Sequence, residues 1–188
     1  MAPAGCSAIL GLSDVTLVDS GLSCQEGVDA LRNTGFEDYG SAWVSDPNHT
    51  YFCPQAVISP HGGMWSGCQG VTSASVETIS QEVSLSAGIK MVTLTGFICI
   101  DTDETDNLED DVLSLDLLEG DKVIAQLGTL SNRDGANGCS FKPILAYKAQ
   151  LTGDPITATL RFRATQGGSN ARTTFYFDDL KLTVGCTP

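Results

Sequence analysis

Basic residues are scarce in this sequence: 10 Lys and Arg stand against 23 Asp and Glu in 188 residues, a formal net charge of −13. A nucleic-acid surface needs clustered Lys and Arg to meet phosphates, so that class of partner is excluded. Long apolar runs are missing as well. Every hydrophobic stretch is broken by Thr, Gly or Asp well short of the about 20 residues that a membrane-spanning helix requires. The opening MAPAG has no basic-then-apolar segment and reads as the start of a mature domain. Histidine is limited to His49 and His61, which read as surface residues, and no Cys-x-x-Cys pair occurs. The usual zinc and thioredoxin-like patterns are thereby removed. There is no Gly-x-Ser-x-Gly elbow, His-Glu-x-x-His helix or Walker loop. Nothing selects the facing pair of carboxylates that a glycosidase needs. No catalytic residue is assigned, and a non-enzymatic function is expected.

What is present describes an exported globular chain. Hydrophobic residues make up 41% and charged residues 18%, which fits a packed core. The excess of acid suits cations, neutral ligands or plain solubility. Seven cysteines, Cys6, Cys24, Cys53, Cys68, Cys99, Cys139 and Cys186, are spread singly along the chain. That spacing is expected of disulfide partners in a secreted or cell-surface protein. Cys6 with Cys186 would staple the termini, and Cys53 with Cys68 would close a loop. The odd count leaves at least one thiol unpaired, and sequence does not settle the connectivity.

Residues 1–188 read as a single domain with an irregular segment over 1–32 and a β-rich core over 33–186. Within the first segment, SCQEGVDALRN (23–33) has the form of a short helix, with Ser23 as N-cap and Glu26 completing a capping box. Residues 33–75 are rich in Gly, Pro, Ser and Asn and read as loops with short strands. Beyond residue 75, ETISQEVSL alternates Ile79, Gln81, Val83 and Leu85 on one face. KMVTLTGFICI is apolar on both faces, VLSLDLL and KVIAQL flank an EGD turn, and ITATLRFRAT alternates throughout. Many short strands separated by turn residues predict an all-β antiparallel sandwich of jelly-roll type.

One stretch, TTFYFDDLKLTVG (173–185), breaks its own pattern. Phe175 and Phe177 mark one strand face; Leu180, Leu182 and Val184 mark another that is one residue out of phase. A β-bulge produces such a slip, and it falls on Asp178-Asp179. Two adjacent carboxylates repel unless a cation or hydrogen-bond donors hold them. Hard oxygen ligands in a secreted β-domain suit Ca²⁺; the alternative is an exposed pair capping backbone amides.

A second stretch, NTGFEDYGSAW (33–43), carries Asn33, Gly35, Phe36, Glu37 and Trp43. Together with SQEVSLSAG (80–88) and FYFDDLKL (175–182), it resembles, in order and spacing, the jelly-roll carbohydrate-binding modules grouped as families 4, 9, 16 and 22. The resemblance covers residues 33–184. It implies a structural Ca²⁺ between the first and last strands, bound by the Gly35 carbonyl, Glu37 and the Asp178-Asp179 pair, with Glu77 as the candidate for a further ligand. It also implies a polysaccharide or glycan partner and a place in a larger multidomain protein.

Such modules stack sugar rings on aromatic side chains, for which the candidates are Trp43, Trp65 and Tyr147, each with core packing as the alternative. The outward residues of ITATLRFRAT, Thr157, Thr159, Arg161 and Arg163, would line a polar cleft or a solvated strand face. Residues 101–111, DTDETDNLEDD, start like an EF-hand loop but lack Gly at the sixth position and have Val112 at the twelfth. They read as a solvated acidic loop or as a second cation site. NHT at Asn48 is a glycosylation sequon if the source is eukaryotic.

Overall fold

Alternation of inward and outward side chains underlies the sheet structure. In a computed structural model describing residues 24–45, 52–70, 76–105, 109–167 and 171–187, eleven strands run in order. They are β1 (Val44–Ser45), β2 (Phe52–Pro54), β3 (Trp65–Gln69), β4 (Val76–Leu85), β5 (Met91–Thr102), β6 (Val112–Glu119), β7 (Lys122–Ser131), β8 (Lys142–Pro143), β9 (Tyr147–Gln150), β10 (Ile156–Thr165) and β11 (Thr173–Gly185). Every pairing is antiparallel. One sheet has the order β1-β4-β10-β6-β7, and the other β2-β3-β11-β5-β8 with β9 also on β5. No α-helix occurs among the described residues. The predicted β-sandwich is the observed one.

The alternation predicted for β4 and β10 decides the core. Ile79, Val83 and Leu85 are buried on β4, and Ala158, Leu160, Phe162 and Ala164 on β10. The two strands pair along their whole length, from Ile156 opposite Leu85 to Thr165 opposite Val76. β6 and β7 form the predicted hairpin, Glu119 facing Lys122. Across the sandwich, Phe162 stacks on Phe177 at 4.7 Å between ring centroids, and Phe36 meets Phe177 edge-on at 5.6 Å. Such aromatic pairs add about 0.5–1.5 kcal/mol each beyond the area they bury.

The helix expected at residues 23–33 does not form over its described part, 24–33. Asp29 instead bridges Thr183 on β11, and Leu31 is buried in the core. Glu26, expected to complete the capping box, and Asp29 serve the last strand instead. Asp29 Oδ1 accepts from Leu182 N (3.0 Å), and Glu26 Oε2 accepts from Cys186 N (2.7 Å). The edge of β11 offers backbone donors that an isolated short helix cannot match.

Three disulfides form: Cys24–Cys186, Cys53–Cys68 and Cys99–Cys139. The expected Cys53–Cys68 loop is present. The terminal staple is corrected: Cys186 takes Cys24, whose segment runs beside β11, while Cys6 lies outside the described residues, as do Asn48 and His49. The other two bridges sit on the outer face of the second sheet, where Tyr176 lies opposite both Cys68 and Cys99. Ile58 and Phe141 pack against this small cluster, so that face is covered over part of its length.

The bridge separations, 162 residues for Cys24–Cys186 and 15 for Cys53–Cys68, predict unequal contributions to stability. In the chain-entropy model they are about 5 and about 3 kcal/mol. Cys24→Ser with Cys186→Ser should lower the denaturation midpoint more than Cys53→Ser with Cys68→Ser. Equal losses in paired urea melts would show that the terminal staple does not constrain the unfolded chain.

Candidate functional site

The break in β11 is a β-bulge. Asp178 pairs with Phe97 and Lys181 with Thr95, so Asp179 and Leu180 together stand opposite the single residue Gly96. Asp179 takes a left-handed conformation, φ 47°. The extra residue lets Phe175 and Phe177 on one side of it, and Leu180, Leu182 and Val184 on the other, all reach the same core. It also turns both carboxylates toward the segment around Gly35, where Leu180 N donates to Thr34 O at 3.1 Å.

Phe36 anchors that segment. Its ring is fully buried and stacks on Trp43 at 5.1 Å, which fixes Gly35 and Glu37 on either side of it. A Cβ built on Gly35 would lie 3.4 Å from Asp179 Oδ1 and 3.7 Å from Asp178 Oδ1. Gly35, Glu37, Asp178 and Asp179 are thus neighbours in space across more than 140 residues of chain. Glu77 is not among them. It lies on the inner face of β4 and accepts from Gly70 N at 2.7 Å, where Gly70 abuts Thr173 at the start of β11. Five strand residues, roughly 16 Å, separate Thr173 from the bulge.

The loop before β3 completes the arrangement, and the sequence reading did not place it at the carboxylate pair. Glu37 accepts from the amides of Met64 and Trp65 at 2.9–3.0 Å. Asp178 Oδ2 accepts from Gly62 N (3.0 Å), and its Oδ1 from Asp179 N (2.8 Å). His61 Nδ1 lies 2.7 Å from Asp179 Oδ2, while its ring stacks on Phe97. Gly63 has to be glycine, because a side chain there would run into the Glu37 carboxylate and its φ is +61°. The signal was the His-Gly-Gly run 61–63, whose glycines permit this close approach.

These donors only partly compensate the buried charge. Burial pushes the Asp178 carboxyl up to about 6, against the pull of the Gly62 and Asp179 amides and with the Asp179 charge adding to the rise. The bulge therefore holds a fully buried, under-compensated carboxylate beside a second one that His61 contacts.

The three aromatic candidates fall in different places. Trp43 is in the core, 7% exposed, with its indole N–H donating to Asn33 O, and it presents no open ring face. Trp65 is partly open at the start of β3 and carries the Tyr39 ring at 4.7 Å; Tyr39 itself is 71% exposed. Tyr147 is half-buried on β9 against Gly128, and its hydroxyl is held above the ordinary tyrosine value by burial and by the Asp134 charge. It lines a cleft of about 300 Å³ with Ile98, Ile144, Asp134, Ser140 and Lys142. The outward face of β10 is polar: Arg161 pairs with Asp116 on β6 at 2.8 Å, beside Thr157, Thr159 and Arg163.

The Asp178 carboxyl gives the bulge a pH signature in protein stripped of divalent cations. Its folded value of about 6 exceeds the ordinary 3.8, so the folded state holds the proton more tightly. Unfolding then releases a proton between about pH 4 and 6, and this group's contribution to stability is lost as pH rises through that window. The stability difference between wild type and Asp178→Asn should therefore shift in favour of wild type on acidification from pH 7 to 4, on the order of 2 kcal/mol. A difference independent of pH in paired urea melts would contradict it.

No family model and no curated protein matches this sequence. Solved structures do match in fold. TmCBM61 in complex with beta-1,4-galactotriose is 10% identical, with a TM-score of 0.53 over 84% of this chain and 99% of that one. CBM28, a non-crystalline cellulose specific carbohydrate-binding module, is 14% identical, TM-score 0.52, over 84% and 96%. The arabinose-bound MgGH51 α-L-arabinofuranosidase is 16% identical, TM-score 0.54, over 85% of this chain but 27% of that enzyme. At these identities the likeness is one of architecture, and by that measure the chain has the jelly-roll fold of carbohydrate-binding modules.

Proposed function

We propose that this domain is a non-catalytic carbohydrate-binding module, stabilised by Ca²⁺ and part of a secreted or cell-surface protein. The observation that carries the reading is the Tyr147 cleft. It combines an aromatic ring and apolar walls from Ile98 and Ile144 with the hydrogen-bonding groups of Asp134, Ser140 and Lys142. A sugar presents the complementary surface, with apolar CH faces bounded by hydroxyls. The fold shared with modules named for β-1,4-galactotriose and non-crystalline cellulose supports a neutral β-linked polysaccharide as the ligand class. Three disulfides support an oxidising compartment.

Affinity electrophoresis through galactan, xylan and amorphous cellulose tests the ligand. Retardation is expected in at least one gel, and Tyr147→Ala should weaken it about tenfold, the loss of roughly 1.4 kcal/mol. Trp65→Ala should have the smaller effect. Passage of the folded protein through every gel unretarded would favour an adhesive or spacer domain with the same fold. Hydrolysis of any of these polymers would make it an enzyme.

Calcium would be held by Asp178, Asp179, Glu37 and the Gly35 carbonyl. Its role would be structural: it would neutralise the bulge and tie the N-terminal segment to β11. Binding to the folded state alone stabilises by about 2.7 kcal/mol at a hundredfold excess over Kd. EDTA should lower the melting temperature by several degrees, Ca²⁺ should restore it better than Mg²⁺, and Glu37→Ala should remove the part of that response due to the bulge. A melting curve as sensitive to EDTA in Glu37→Ala as in wild type would exclude this site.

A further inference from the structure

At the far end of β5, about seven residues past the partner of the bulge, a second group of carboxylates converges. Glu104, Asp110 and Asp111 each offer an oxygen, and these oxygens all lie within 4.8 Å of one another. Proximity of acids alone would mean little on so acidic a protein. The decisive feature is burial without partners. Asp111 is 1% exposed. Its Oδ1 accepts from Gly167 N at 2.7 Å, yet its Oδ2 is shielded from solvent with no hydrogen-bond partner. Asp110 Oδ1 is shielded and unpartnered in the same way. Neither aspartate has a Lys or Arg at ion-pair distance among the described residues; Arg133 and Arg172 reach Glu109 and Asp101 instead.

The surrounding chain holds this arrangement in place from three directions. Glu104 follows β5, with its amide on Thr102 Oγ1 at 3.2 Å and its carboxylate taking a hydrogen bond from Asn132 Nδ2. Asn132, just after β7, also donates its amide to Asp111 O at 3.0 Å. Gly167, past the end of β10, presses so closely on Asp110 that a Cβ there would lie 2.6 Å from the Asp110 carboxyl carbon. Bare carboxylate oxygens, buried and mutually repelling, are costly unless a cation sits between them. We propose that Glu104, Asp110 and Asp111 form a Ca²⁺ site. All-oxygen donors select a hard ion. Carboxylates drawn from a loop rather than a preset octahedron favour Ca²⁺, with its looser six to eight ligands, over Mg²⁺. The ion would clamp the crossover from β5 in one sheet to β6 in the other. It is separate from the bulge.

Isothermal titration of the whole domain with calcium chloride, after chelator treatment, tests it. A calcium-binding event is expected that persists in Glu37→Gln and weakens at least tenfold in both Glu104→Gln and Asp110→Asn. Magnesium chloride should bind at least tenfold more weakly than calcium at the same site. Glu104 is only partly buried, so Glu104→Gln keeps the test valid if an Asp110 variant fails to fold; circular dichroism identical to wild type checks this. Calcium binding unchanged in folded Glu104→Gln, complete loss of binding in Glu37→Gln, or no calcium binding by the wild type would each overturn the site. Equal affinity for Mg²⁺ would overturn the choice of ion.

Discussion

The extra residue in β11 is the constraint on which the rest of the structure hangs. A thirteen-residue strand with regular alternation would send either Phe175 and Phe177 or Leu180, Leu182 and Val184 to the outer face, because the side-chain period is two. The bulge at Asp178–Asp179 resets the phase, and both sets enter one core. Its cost is local: a left-handed aspartate and two adjacent carboxylates, that of Asp178 fully buried. The molecule offsets that cost with the backbone amides of Gly62 and Asp179 and with His61. The bulge is therefore both a packing device and the origin of the electrostatic feature around which Gly35 and Glu37 gather.

The N-terminal segment follows from the same strand. Residues 27–31 run beside β11 through Gly27 N to Val184 O and Ala30 N to Leu182 O, and Cys24–Cys186 locks the end of this run. Phe36 then enters the core next to Phe177, which carries Glu37 into reach of the loop before β3. One continuous set of contacts thus links the disulfide, the added edge segment, the bulge and the candidate calcium ligands. The opposite end has no such covalent tie on its crossover. There, the buried side chains of Asp111, Thr102, Thr173 and Gln166 make a polar interior, in contrast to the aromatic one near Phe36.

Period-two patterning was readable in β4, β10 and β11 because each strand has a buried face, and burial is what hydrophobicity records. The phase slip in β11 was readable for the same reason, as was the association of Gly35, Glu37 and the Asp pair through resemblance to a known motif. The Cys24–Cys186 pairing was not. Cys6 and Cys24 are equivalent as letters, and only the course of residues 24–31 along β11 brings one of them to Cys186. The supposed helix over 23–33 failed on the same ground, since its capping-box residue Glu26, with Asp29, found stronger use on a strand edge that local sequence does not reveal.

Residue types alone thus established an acidic, disulfide-bearing, all-β chain whose strands slip phase at a carboxylate pair, since composition and periodicity are properties of the chain itself. They did not establish which carboxylates lack partners. Asp103, Glu104, Asp110 and Asp111 look alike in a run of acids, yet Asp103 bonds Asn137 at the surface while Asp111 is sealed beneath Gly167. Nor did they separate Trp43, closed in the core, from Tyr147, open to a cleft. Burial and partnership depend on segments far apart in the chain being folded together, and for these residues only long-range packing sets the dielectric, the donors and the open faces that chemistry uses.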